Sequence, residues 1–196
     1  IMRIIILAIS LLISGTLSAQ KKPYYYQIPE APGTYTAATV AARLVDGLGF
    51  RYFWATEGLT EKDLNYRPSP GARTCWETLE HINGLTEILV NAVNKKPNRF
   101  DGAANKKFSS LQLRDKTLMN IQTASELLKQ PNITLDDLDM VFENAGGKTE
   151  YSFWNLINGP IEDAIWHVGQ VVSFRRASGN PLPKGVNFLP GTKTEQ

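Results

Sequence analysis

The chain has 196 residues, with 21 Lys and Arg against 19 Asp and Glu, only two histidines and one cysteine. That length holds one domain with a substantial core, and 42% hydrophobic residues is too many for a disordered chain. A formal charge of +2 gives no electrostatic footprint for nucleic acid, and a single cysteine excludes an intrachain disulfide and any multi-cysteine zinc or iron–sulfur site.

Residues 1–19 read as a secretory signal peptide rather than as fold. Arg3 is a minimal basic region, residues 4–13 are apolar apart from Ser10, and Ser14, Gly15, Thr16, Ser18 and Ala19 form a small-residue run. The apolar run is about half the roughly 20 residues that a membrane span needs, so no stable membrane anchor is expected. Cleavage after Ala19 would start the mature chain at Gln20 and send it to the periplasm or the medium.

Pro23, Pro29, Pro32 and three consecutive tyrosines make residues 21–32 an extended lead-in. A first long helix is expected over residues 36–57, ahead of Gly58, with Val40, Leu44, Leu48 and Ala55 as its stripe and Arg51 in the middle of it. Arg51 reads as a cation snorkelling along the edge or as one aimed into an internal pocket. After a Pro- and Gly-marked loop, Thr74-Cys-Trp-Glu77 is a capping box that opens a second helix to about residue 94. Its inward face includes His81, Leu85, Ile88, Leu89 and Ala92. Residues 95–107 are polar and read as a surface loop. Ser109 and Gln112 box a third helix that ends near residue 130, with Leu111, Leu118, Ile121, Ser125 and Leu128 inside.

Residues 132–148 fit either an irregular connection or a short hairpin. A fourth helix begins near Ser152, and Gly159-Pro160 should break or kink it, with Pro160 starting a fresh segment to about residue 177. That segment is apolar on nearly all sides, as a central helix or a dimer contact would be. A tail with three prolines follows. Four long helices with a long crossover predict an all-α four-helix bundle.

Both histidines fall on inward helical faces. Asp163 and His167 are four apart, so they stack one turn above each other, with Gln170 and Phe174 further along the same face. A carboxylate and an imidazole placed this way are part of a metal site. A second imidazole from a facing helix completes a two-histidine, one-carboxylate set that suits zinc, nickel or ferrous iron and leaves positions open. The plainer reading is a buried hydrogen-bond network.

These residues carry a resemblance. Asp163-Ala-Ile-Trp-His167-Val-Gly-Gln170, followed by Phe174-Arg-Arg-Ala-Ser-Gly-Asn-Pro181, resembles the fourth-helix motif of the DinB-like superfamily, and Thr78-Leu-Glu-His81-Ile resembles its second-helix histidine. The likeness spans residues 36–181. It implies an up-down-down-up bundle with metal ligands at His81, Asp163 and His167, where the common pattern has histidine in place of Asp163. Gln170 would support a ligand from behind, and Gly169 would allow close helix packing. The implied chemistry is that of a metal-dependent hydrolase or thiol-dependent transferase on a small-molecule substrate, and the resemblance admits a homodimer. Glu77, one turn before His81, is a candidate base beside its capping role. Arg51 is a candidate partner for an anionic substrate. Cys75 sits where a helix dipole can lower a thiol pKa, although a small buried residue is its plainer role. The competing expectation is a non-catalytic bundle with a structural or ligand-binding site.

Overall fold

The structure is a computed structural model that describes residues 22–99 and 108–194. The signal-like segment at residues 1–19 lies outside the described residues.

The lead-in opens with a single turn at Tyr24–Tyr26 that buries Tyr25. Helix α1 spans Ala37–Thr56. Thr36 caps it by accepting from the Thr39 amide, and the Thr39 side chain accepts from the Thr36 amide in return. Gly58 follows with φ 68°, the left-handed conformation that ends helices and suits glycine. The expected boundaries hold, and half of the expected stripe does. Leu48 and Ala55 are buried, but Val40 and Leu44 are exposed, and Ala41, Ala42 and Val45 are buried in their place. Small side chains let the neighbouring helix approach closely, so the buried face is turned from the one that the larger residues mark.

A short helix, α2 (Glu61–Leu64), breaks the loop after α1. Helix α3 spans Cys75–Val93, and the capping box at its start is present. Helix α4 spans Ser110–Leu128 behind the Ser109–Gln112 box. Its inner face is Leu113, Thr117, Ile121, Ala124, Ser125 and Leu128, and Leu111 is exposed. The four long helices contact in a ring: α1 meets α4, α4 meets α3, and both α1 and α3 meet the last helix.

The ambiguous segment forms a hairpin, β2 (Met140–Asn144) with β3 (Gly147–Tyr151), and β1 (Asn98–Arg99) adds to β2 in parallel. A second small sheet joins β4 (Val186–Asn187) to β5 (Thr192–Lys193) in the tail. The fold is therefore mostly helical, and the all-α expectation is corrected by these two sheets. Polar alternation is too weak to mark strands this short.

Of the break or kink expected at Gly159-Pro160, the break does not occur, and the helix becomes irregular there instead. Helix α5 (Phe153–Leu156) runs through a π-helical turn at Ile157–Ile161 into α6 (Glu162–Ala177). The Glu162 amide reaches the Ile157 carbonyl, five residues back. Pro160 has no N–H to donate, and a wide turn absorbs that loss without ending the helix. Helix α6 is not buried all round, since Trp166 is exposed.

Two contacts lock the ends of these helices together. Arg175 is 1% exposed and donates to the carbonyls of Trp54, Ala55 and Glu57, where α1 ends, and to Asn180. Asp63 is fully buried and accepts from the Ser178 hydroxyl, the Asn180 amide and Thr60. Burial alone would raise its carboxyl, but these donors win and hold it at about 2. Because the folded pKa lies below the ordinary 3.8, Asp63 stabilises the fold above pH 4 and loses that contribution as pH falls from about 4 to 2. The shift corresponds to about 2 kcal/mol. Urea unfolding at pH 7 and pH 3 should show the wild type losing more stability than Asp63→Asn over that interval. Equal losses would show that the acid sensitivity comes from other groups.

The lead-in docks by a close approach. A Cβ on Gly49 would fall 2.4 Å from the Tyr25 ring, which is buried with its hydroxyl donating to Asp46 at 3.3 Å. Gly49→Ala should expel that ring and cost about 1–3 kcal/mol. The urea midpoint reads the loss, and an unchanged midpoint would mean that the ring moves freely.

Candidate metal centre

Helix α3 supplies His81, and α6 supplies Asp163 and His167. The wide turn just before α6 sets the rotation of that helix. His81 Nε2 lies 3.2 Å from Asp163 Oδ2, and His167 Nε2 lies 3.2 Å from Asp163 Oδ1. The imidazole rings meet edge to face with centroids 4.6 Å apart. Each residue offers one ligand atom, and these atoms all lie within 4.8 Å of one another. A tetrahedral ion with bonds near 2.0–2.1 Å has ligand atoms about 3.3 Å apart, and each imidazole stands at about that distance from one oxygen of Asp163, His81 from Oδ2 and His167 from Oδ1. All three side chains are partly exposed, which leaves an approach from solvent.

His167 Nδ1 lies 2.9 Å from Gln170 Oε1. When Nδ1–H donates to that oxygen, the ring's lone pair sits on Nε2, facing the Asp163 carboxylate. Lone pair against carboxylate is repulsive, and a cation between them turns the repulsion into coordination. With the Gln170 amide rotated half a turn, Nε2–H donates to Asp163 instead and a hydrogen-bond network results. The donor set thus fits a divalent ion, and Gln170 selects the ring state.

No family model matches the chain, and no curated protein matches it. One solved structure that matches is of a DinB-like protein from Bacillus subtilis. It has a TM-score of 0.49 and 17% identity, and the match covers 78% of this chain and 99% of that one.

The remaining candidates fall elsewhere. Glu77 accepts from the Thr74 amide at 2.7 Å and from its hydroxyl at 3.0 Å, and these bonds lower its pKa. That is the capping role. Cys75 is buried, and desolvation, followed by the charge of Asp63, pushes its thiol up to about 12. A protonated thiol is a poor nucleophile, so the dipole-activated reading is corrected: burial outweighs the helix end. A Cβ on Gly169 would meet nothing within 4 Å, so this glycine does not serve helix packing. Arg51 lines a separate groove with residues on another face of α6.

Sequence reasoning missed the surface beside His81. A cleft of about 400 Å³ is lined by Glu80, His81, Leu85, Glu87, Asn91 and Asn98, among others. Asn91 donates to Asn98, and Asn98 donates to the Val141 carbonyl, so the short parallel strand holds that wall. Only the helical spacing of Glu80, His81 and Glu87 is visible in the sequence. The strand that closes the cleft pairs Asn98 with Phe142, far along the chain.

Proposed function

We propose that this chain is a DinB-like four-helix bundle, of up-down-down-up order, that binds one divalent metal through His81, Asp163 and His167. It would act as a metal-dependent hydrolase or thiol-dependent transferase on a small molecule, after export. The observation that carries the metal reading is the convergence of two imidazoles from different helices on one carboxylate. Export rests on the pattern of residues 1–19 and small-molecule chemistry on the family resemblance.

When bound, the ion would supply Lewis-acid polarisation of an electrophilic substrate. The protein's own groups do the rest. Asp163 offsets part of the ion's charge, Gln170 holds the His167 proton on Nδ1, and the cleft along α3 admits substrate beside His81. The test is elemental analysis of the chain purified without chelator and again after loading with zinc, nickel or iron. About one equivalent is expected. Less than about a tenth under every condition would leave the hydrogen-bond network as the role of the triad.

A further inference from the structure

A second site stands on another face of α6. Arg51, Ile165, Val168, Val172, Arg176 and Phe188 are among the residues lining a groove of about 330 Å³ between α1, α6 and the tail. None of His81, Asp163 and His167 lines it. The volume lies at the lower end of the range for small-molecule sites, roughly 300–1,000 Å³. Its floor is aliphatic and aromatic. Its charged groups are two guanidiniums. Arg51 donates to the Gly47 carbonyl at 3.0 Å and lies 5.7 Å from the Phe188 ring centroid. Among the described residues, no carboxylate pairs with Arg51 or Arg176.

What distinguishes Arg51 and Arg176 is their place: both line one groove whose other walls are largely apolar, and a guanidinium fork is shaped for a carboxylate. The tail completes the site. Phe188 packs on Phe50 with ring centroids 5.8 Å apart, which anchors the tail as one wall of the groove.

We infer that this groove binds an amphipathic monocarboxylate, with its acyl chain along Ile165, Val168 and Val172 and its carboxylate between Arg51 and Arg176. The site is independent of the metal reading. The experiment is calorimetric titration of the full chain with decanoate below its micelle concentration, with decanol and decyltrimethylammonium as neutral and cationic counterparts. One saturable site for decanoate is expected, with the counterparts at least about tenfold weaker. Arg51→Gln/Arg176→Gln should weaken decanoate at least about tenfold by removing the charge. Val172→Trp should do the same by filling the floor, with helicity unchanged, and it carries the test if the double variant does not fold. Chelator should leave the affinity unchanged. The inference is overturned by decanol binding as tightly as decanoate, by retained affinity in a folded variant, by loss of binding with chelator, or by no saturable site. None of these outcomes bears on metal stoichiometry, and a metal-free chain would leave the groove's test intact.

Discussion

His167→Ala should reduce bound metal from about one equivalent to less than about a tenth. His81→Ala and Asp163→Ala should do the same. The reason is ligand count. Three protein ligands are the usual minimum for a site that keeps an open position, and each of these residues supplies one. His167 is the most enclosed of the three, with its side chain 12% exposed against 32% for His81 and 33% for Asp163. Solvent is therefore least able to replace it. Gln170→Ala should behave differently. It leaves all three ligands in place and frees the His167 ring, so it should weaken affinity about 10- to 100-fold without abolishing binding. Asp163→His should still bind metal, since it restores a third imidazole, with less preference for harder ions. Metal retained at full stoichiometry in His167→Ala would show that the ion sits elsewhere.

The triad is legible in the sequence because its chemistry is local and rare. Asp163 and His167 announce a shared face by their spacing, and two histidines in the chain leave one partner to choose. The capping boxes at Thr74 and Ser109 are legible for the same reason: both partners lie within one turn. What the sequence hides depends on distant residues. The buried face of α1 is set by Ala41 and Ala42, which look neutral until α4 packs on them. Asp46 is wholly buried, yet its partners are the Ser125 hydroxyl at 2.6 Å, the Lys129 ammonium at 2.6 Å and Tyr25, all far along the chain. Arg51 faces a groove away from the metal centre, and that groove exists only because Leu182 and Phe188 return to α1 and α6. Gly-Pro signals a break in isolation, whereas packing of Leu156 and Ile161 on the core holds the helix through its π turn.

Arg175→Met should cost the fold about 3–5 kcal/mol, more than Gly49→Ala or the loss of the Asp63 charge. Methionine keeps much of the side chain's apolar volume, so the loss isolates the guanidinium. Arg175 is 1% exposed, and burial lowers its pKa while Asp63 counteracts that. Its Nη1 donates to the carbonyls of Trp54, Ala55 and Glu57 at 3.0, 3.1 and 3.0 Å. Its Nε donates to Asn180 at 2.7 Å. The Trp54 and Ala55 carbonyls are among the orphans that a helix end leaves, and both bonds to Arg175 are buried. Removing their donor exposes the full desolvation penalty of each. With a urea slope of about 1–3 kcal/mol per molar, the midpoint should fall by roughly 1 M or more. A midpoint within a few tenths of a molar of the parent would show that water enters and satisfies the carbonyls. The same substitution tests how the metal centre is held. Asp163 and His167 keep their place opposite His81 because α6 is fixed at both ends, by the π turn before Glu162 and by the Arg175 clamp on α1. Releasing one end should loosen the triad without touching it. Arg175→Met should therefore bind metal more weakly than the parent even at temperatures where it remains folded, while Arg176→Gln, on the groove side of the same helix, leaves the metal unchanged.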